Sequence, residues 1–541
     1  MEIDGKWSLI LGEIISELDP RLLENKEFWD FSAYLPNMKI ESSTKKDNAP
    51  HVCSEVYLGK DQDPNYQQTA FISEKCSNVP KFDRVLTIIL PVTKLSINGI
   101  TSILNEILEI YSVRIIIITK DYPVKDISYL KLSLFHNIKY YIIKNETIGS
   151  AINYVIQNII QTPFIAVLNN ISHFNNQSSL QRLVSVIDNL KFVGVAAGSA
   201  RDDRGRWMHG CLQIKESNYK IGYEYGYYFS KYECMYCDDV LTPFVARTSL
   251  LQKIPFDEYM NKNEVFRDWF IKLRKAGVLV VACPDVMFYN NFHTEITKNE
   301  SLHIAKKWKY LKLKTHNNVL YNFTCKDIQI SCKNIRLYVK SYLLPECCIN
   351  KIMDVLKILI NWGKNNNLEY ALNTGNSLGA VKLGGYLPWD FDLDIMILCK
   401  DHKKWKKIEK HAKKFNCSFQ RHDLRYFTFS CPVTFVDIIC RKTLGKEFLP
   451  PAVMNISTSI LYNGNWVKTF PNPGLYNRGY IGLENLKHAP HWRFLNKTIK
   501  GNAMGGYEKA GTWNLCFEPN KHFCLDRYPA DGSLPFLKPP W

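Results

Sequence analysis

Asp390, Asp392 and Asp394 alternate with Phe391 and Leu393 and lead directly into the apolar stretch Ile395-Met396-Ile397-Leu398. Residues two apart share a face only in an extended chain. The segment therefore predicts a strand with three carboxylates together at its leading end. Three such charges repel one another unless a cation sits among them. Oxygen ligands at this density suit Mg²⁺ or Mn²⁺, which complete their shells with substrate phosphates. Just upstream, GNSLGAVKLGG (375–385) reads as a glycine-rich turn. A lone turn of this kind is ordinarily just a turn; in a phosphate-binding context Gly375, Asn376, Ser377 and Gly379 would offer backbone N–H groups and a hydroxyl to the phosphate. The two features together point to metal-assisted chemistry on a phosphate.

At 541 residues the chain is too long for one hydrophobic core, and two or three domains are expected. The formal charge of +17 suits anionic ligands without choosing among them. The lysines of Lys403-Lys404-Trp405-Lys406-Lys407 read as the solvated face of a helix whose apolar side carries Trp405 and Ile408, so no nucleic-acid partner is expected. No window holds the roughly 18–20 apolar residues of a membrane span. The N-terminus, with acidic residues inside its short apolar stretch, is a poor signal peptide. Sixteen cysteines lean towards a secretory compartment or a metal site.

Residues 1–84 carry no interpretable motif. From Arg84 onward, VLTIILPV, RIIIITKD and FIAVLNN read as buried strands alternating with helical segments. That order predicts a parallel, doubly wound α/β sheet. A basic connector is expected over 293–320 and a second domain over 321–541. A helix from about Ile349 to Asn366 would bury Ile352, Val355, Leu356 and Leu359 on one face. Cys325, Cys332, Cys347 and Cys348 bracket a loop at the start of that domain; the spacing fits a closed Zn²⁺ site or one or two disulfides. Cys234 and Cys237 form a lone CxxC, for which a disulfide or two ordinary cysteines outweigh a metal.

Residues 85–292 resemble the GT-A fold of nucleotide-sugar glycosyltransferases in the order of their elements. Such a domain needs an acidic pair where this chain carries the neutral Asn169 and Asn170, which implies a degenerate, binding or scaffolding role. Asp268 matches the late acidic position of such folds, or is a surface aspartate near a helix start.

The C-terminal segment, with GNSLGAVKLGG, PWDFDLD and Phe435-Val436-Asp437-Ile438, resembles the nucleotidyltransferase-like core of the LicD-type phosphotransferases, and within them the fukutin-related group. The cysteine spacing and Pro-x-Cys-Cys extend the resemblance back to about Phe323. It implies an α+β catalytic domain that takes ribitol 5-phosphate from CDP-ribitol to a phosphorylated O-mannosyl-type glycan on a dystroglycan-like glycoprotein, in the Golgi. It further implies structural Zn²⁺ on Cys325, Cys332, Cys347 and Cys348, and Mg²⁺ or Mn²⁺ on Asp392 and Asp394. Asp390 or Asp437 would accept the hydroxyl proton while the other completes the metal set. Lys382, Arg425 and Arg478 are candidate phosphate or acceptor contacts, Trp389 reads as packing, and a homo-oligomer is possible. The chain departs from the family at Asn373, where an acidic residue is expected. Competing readings are phosphocholine transfer from CDP-choline, a non-catalytic glycan-binding scaffold and, least supported, a polymerase-like nucleotidyltransferase.

Overall fold

The computed structural model describes residues 51–53, 55–57, 71–73, 79–92, 97–119, 137–143, 146–190, 192–217, 219–260, 264–290, 296–333, 344–387, 390, 392–423, 425–444, 452 and 456–481. Most of 1–84, and Trp389, lie outside the described residues. The chain forms two compact units. Unit 1 takes the described residues up to Lys215 with Ile221–Ile304 and Leu313–Tyr321. Unit 2 takes Glu216–Lys220, Ala305–Lys312 and the described residues from Asn322 onward. The segment read as a connector is thus divided between the units, and carries a helix at Lys298–Trp308 and a strand at Lys312–Lys314.

Unit 1 is built on strands β1 (Leu86–Val92), β2 (Arg114–Thr119), β3 (Ile138–Ile142), β4 (Phe164–Val167), β5 (Val193–Arg201), β6 (Phe244–Arg247) and β7 (Leu279–Asn290). Their order in the sheet is β7-β5-β6-β4-β1-β2-β3, with Cys234–Cys237 and Ser230–Lys231 added beyond β7. The strands β1, β2, β3 and β4 run parallel, as do β5 and β7. β6 runs antiparallel to both its neighbours, so the sheet is mixed rather than wholly parallel as the sequence suggests. The cause is the connection: the chain between β5 and β6 forms short antiparallel strands and supplies no crossover helix, which a parallel neighbour requires.

Helices α1 (Ile97–Ile110), α2 (Ile148–Asn158), α3 (Leu180–Asn189) and α4 (Glu264–Lys275) accompany this sheet. Ile103, Leu104 and Ile107 of α1 join Ile88, Leu90, Ile115 and Ile117 in one buried cluster. β1 is buried at every position, which explains its unbroken apolar run. Ser179 and Thr147 cap α3 and α2 by accepting from Arg182 N and Ser150 N. The CxxC cysteines pair outward: Cys234 with Cys283, and Cys237 with Cys211.

In unit 2, α5 (Glu346–Asn365) starts three residues earlier than the periodicity indicates and buries Ile352, Val355, Leu356 and Leu359 as expected, with Ile349 in addition. Then come β8 (Tyr370–Leu372), α6 (Thr374–Leu383), β9 (Asp392–Leu398), β10 (Ser418–Arg421), β11 (Tyr426–Ser430), β12 (Phe435–Arg441) and α7 (Pro473–Ile481). The sheet order is β8-β9-β12-β11-β10, with β9 and β12 parallel and the other pairs antiparallel. Between β9 and β10 a short helix, His402–Lys406, buries Trp405 while Lys403, Lys404 and Lys406 stay in solvent, as the sequence reading holds. Disulfides Cys399–Cys440 and Cys417–Cys431 tie β9 to β12 and β10 to β11.

Candidate active site

The site grows from the pairing of β9 with β12. Their register places Asp392 opposite Phe435 and Asp394 opposite Asp437. Paired residues on parallel strands project to the same face, so Asp392, Asp394 and Asp437 share one side of the sheet, with neighbouring strands about 4.8 Å apart. Between them, Leu393, Ile395, Val436 and Ile438 are buried on the opposite side. The alternation of aspartate with aliphatic residues is what turns the three carboxylates one way.

Asp390 is different. It lies ahead of β9, its N–H donating to Leu387 O at 2.9 Å, so a turn holds it rather than the strand. The three aspartates are therefore not one row: two stand on β9 and the third approaches from a loop.

The segment read as a glycine turn is the first part of helix α6. The helix forms because Leu378, Ala380, Val381, Lys382 and Leu383 are compatible with it, and it ends at Gly384, whose φ of 62° is the left-handed cap that glycine tolerates. Its N-terminus meets β9. Thr374 Oγ1 donates to Asp394 Oδ2, and Thr374 itself holds the uncommon φ of 43°. A non-glycine residue in that region costs energy and survives where the surroundings demand it. Asn376 is fully buried; its Nδ2 donates to Asp392 O at 3.2 Å and its Oδ1 accepts from Asp394 N at 2.5 Å. Asn376 is thus a clamp on the aspartate strand.

Ser377 is also fully buried, and Asn477 Nδ2 on α7 donates to its carbonyl at 3.1 Å. The two glycines of the helix allow close approaches. A Cβ on Gly375 would lie 2.5 Å from Asp390 Oδ2, and one on Gly379 would lie 2.5 Å from Gly385 O. Gly375 and Asn376 reach the aspartate segment, Gly379 allows the close approach of Gly385, and the buried Ser377 Oγ has no hydrogen-bond partner among the described residues.

Lys382 sits eight residues along α6 from Thr374, about 12 Å of helix. Arg425 is exposed and its carbonyl accepts from Cys440 N, three positions (about 10 Å) along β12 from Asp437. Arg478 is exposed on α7, whereas Asn477 is buried towards α6.

A ring of tyrosines reports the field of the carboxylates. Burial pushes the phenols of Tyr386 and Tyr462 well above their usual value, and the charge of Asp390 adds to both. Tyr426 is pushed up to about 12, first by burial and then by Asp437, with Asp394 and Asp392 behind it. Tyr476 and Tyr480 on α7 are raised by burial and feel Asp394, with Arg441 opposing. Tyr476 O–H donates to Asn373 Oδ1 at 2.5 Å, and Asn373 N donates to Asp394 O at 2.8 Å. Arg441, on the Asp437 side of β12, is the cation that sequence reasoning missed. Two-residue spacing from Asp437 through Ile439 is the signal that could have found it. Thr374 and the tyrosines carried no such signal, because their proximity comes from α6 and α7.

Clustered hard carboxylate oxygens beside a helix N-terminus fit a divalent cation and an anionic substrate group. Asp392, Asp394 and Asp437 are the carboxylates that this face of the sheet presents.

The four loop cysteines are brought together, but as disulfides: Cys325 with Cys347 and Cys332 with Cys348. In this pairing the sulfurs lack the thiolate charge that binds zinc, while as thiolates Cys325, Cys332 and Cys348 are close enough together to hold a metal ion. Cys325 Sγ nonetheless lies 3.7 Å from both Cys332 Sγ and Cys348 Sγ. A tetrahedral site with Zn–S near 2.3 Å has edges of about 3.8 Å, so the reduced cluster has the right size. In unit 1, Asn169 and Asn170 follow β4 as neutral amides, Asn170 with φ of 59°. Asp268 is fully buried on α4 with Lys272 Nζ at 3.5 Å, so it is not a surface aspartate.

Residues 367–438 match the family model described as LicD/FKTN/FKRP, nucleotidyltransferase domain. The matched stretch contains β8, α6, β9 and Asp437, and it supports a LicD-type transferase relationship for this part of the chain. No curated protein matches the sequence. Among solved structures, GalNAc-T7 with UDP, GalNAc and Mn²⁺ is similar at 10% identity over 42% of this chain and 48% of that one, with a TM-score of 0.32. TarS of S. aureus, residues 1–349, is similar at 14% identity over 41% of this chain and 64% of that one, with a TM-score of 0.30. A further TarS structure gives 15% identity over 41% and 38%, with a TM-score of 0.31. The chain spans less than two thirds of each.

Proposed function

We propose that unit 2 is the catalytic unit of a CDP-alditol phosphotransferase of the fukutin-related kind. It transfers ribitol 5-phosphate from CDP-ribitol to a phosphorylated O-mannosyl-type glycan on a dystroglycan-like glycoprotein. The observation that carries this reading is the Asp394–Asp437 register beside Asp392, inside the LicD-matched segment.

An acceptor hydroxyl oxygen attacks the phosphorus that bears ribitol, the bond from that phosphorus to the CMP oxygen breaks, and the hydroxyl proton passes to a carboxylate. Asp437, a strand's width from Asp394, joins it and Asp392 in holding Mg²⁺ or Mn²⁺, which when bound neutralises charge on the diphosphate. Asp390, held off the strand beside Gly375, is then the base. Thr374 and Asn376 fix the direction of Asp394 and the backbone beneath it.

Unit 1 is a degenerate GT-A-like domain in this reading, with Asn169 and Asn170 as its neutral pair. Every cysteine among the described residues is disulfide-bonded, which supports an oxidising compartment, here the Golgi lumen. Among the described residues no helix is long and apolar enough to cross a membrane. Structural Zn²⁺ on Cys325, Cys332, Cys347 and Cys348 would need these four as thiolates in place of their pairing, so the disulfides outside this loop carry the argument for the compartment.

The test is incubation with CDP-ribitol, CDP-glycerol and CDP-choline plus Mg²⁺ or Mn²⁺, scoring CMP release and transfer to a phosphoglycan. CDP-ribitol should turn over, and Asp392→Ala and Asp394→Ala should abolish it. Failure of all three donors, or turnover that survives both substitutions, sinks the reading.

A further inference from the structure

Unit 1 carries a row of aromatic side chains that its core does not use. Trp207 and His209 have ring centroids 6.5 Å apart, His209 and Tyr225 are 5.9 Å apart, and Tyr225 and His316 are 5.4 Å apart, each pair edge to face. Trp207 is 51% exposed and Tyr225 46% exposed. Single exposed rings are ordinary on protein surfaces, as Tyr259 is here at 88%, but rings in mutual contact are not. Ordered strands hold the row: Trp207 pairs with Arg201 at the end of β5, and Tyr225 ends the strand Lys220–Tyr225. The rings are therefore presented in fixed positions.

The inner end of the row rests on buried charge. Arg267 Nη1 donates to Asp239 Oδ2 at 2.5 Å, and its guanidinium lies 5.4 Å from the Tyr223 ring centroid. Asp239 is fully buried, and its second oxygen, Oδ1, has no hydrogen-bond partner among the described residues. Burial, with Arg267 adding, pushes His316 down to about 4, and burial lowers His209 as well. Both imidazoles are neutral at pH 7. His209 Nδ1 accepts from Cys211 N at 3.0 Å, so its proton resides on Nε2 as a donor.

We propose that this row is a carbohydrate-binding surface, taking a neutral oligosaccharide whose sugar rings lie along Trp207 and Tyr225. A pyranose has an apolar C–H face that an aromatic face covers, and a rim of hydroxyls that imidazole and phenol groups can bond. A protein partner needs about 800 Å² of surface on each side, whereas a glycan chain needs only a strip of rings such as this one.

Chitotriose, mannotriose and maltotriose, titrated calorimetrically into the intact chain, test this inference. At least one should bind. Trp207→Ala and Tyr225→Ala should each weaken that binding about tenfold, Trp207→Phe should restore part of it, and Tyr259→Ala should leave it unchanged. Absence of binding by all three trisaccharides overturns the proposal, as does undiminished binding by both alanine variants. The inference stands apart from the phosphotransferase reading. Asp394→Ala should retain trisaccharide binding while losing CMP release, and Trp207→Ala should retain CMP release in the absence of acceptor.

Discussion

Asp394 and Asp437 face one another in register on two parallel strands, with Thr374 from the start of α6 donating to Asp394. Two like charges a strand apart destabilise each other until a cation arrives. Asp437→Asn should therefore raise the Tm of the protein in chelator, and should shrink the Tm gain that Mg²⁺ or Mn²⁺ confers on the wild type. CMP release should fall at least about 100-fold, the loss of roughly 2.7 kcal/mol of transition-state stabilisation. Thermal melts with and without metal check the first part, and a wild-type response to metal in the variant removes Asp437 from the donor set.

Asn376 joins two backbone groups of the aspartate strand, one at Asp392 and one at Asp394. Asn376→Ala should cost about 1–3 kcal/mol, because it leaves a buried N–H and a buried carbonyl unmatched. Denaturant unfolding measures that cost. The reaction rate should fall further than the lost folded fraction explains, since the two carboxylates proposed to hold the metal lose their common anchor.

Gly375→Ala isolates the role of Asp390. The added Cβ meets Asp390 Oδ2 at 2.5 Å and so must displace it. If Asp390 takes the proton, kcat should drop about 10²-fold while metal-induced stabilisation remains. An unaffected kcat would assign proton transfer elsewhere.

Glu369 gives a pH signature. Burial alone would raise its pKa, but Lys468 Nζ at 2.6 Å and the hydroxyl and N–H of Ser457 hold it below 4.5. A folded value under the unfolded one means the contribution is complete above the unfolded pKa and is lost as pH falls through the folded one. The Tm of the wild type should thus decline on acidification below about pH 4.5, and Glu369→Gln should flatten part of that decline. Parallel slopes for the two proteins in a pH series of melts would remove Glu369 from the account.

The loop cysteines should show two states. Unfolded without reductant, the chain should expose no thiols from Cys325, Cys332, Cys347 or Cys348. Reduced and refolded with Zn²⁺, it should take up about one ion, lost in Cys348→Ser. Zinc carried by the unreduced wild type would instead make the thiolate state the resident one.

Within the site, legibility followed the range of the interaction. Strand β9 was plain because alternation is a local signal: Asp392 and Asp394 could share a face in no other regular structure. The burial of Ile352, Leu356 and Leu359 on α5 followed from its periodicity in the same way. The helical character of α6 was missed because its early glycines suggest a turn, although Gly384-Gly385 just beyond Leu383 is a helix-stop signal. Asp390 was placed on the strand by periodicity alone, and the bond from its N–H to Leu387 O removes it.

By itself the sequence determined two α/β-type units, an aspartate strand in the second, a further aspartate at Asp437 and a cluster of four cysteines, because each is written in spacing along the chain. Tertiary structure decided the rest. It set Asp437 against Asp394 rather than Asp392, made the Asn376 side chain a clamp on the aspartate strand, and brought Arg441 and the tyrosines of α7 near the carboxylates. It also assembled the aromatic row of unit 1 from Trp207, Tyr225 and His316. Register between strands and the docking of one helix on another depend on contacts between residues far apart in sequence, and no local pattern encodes those.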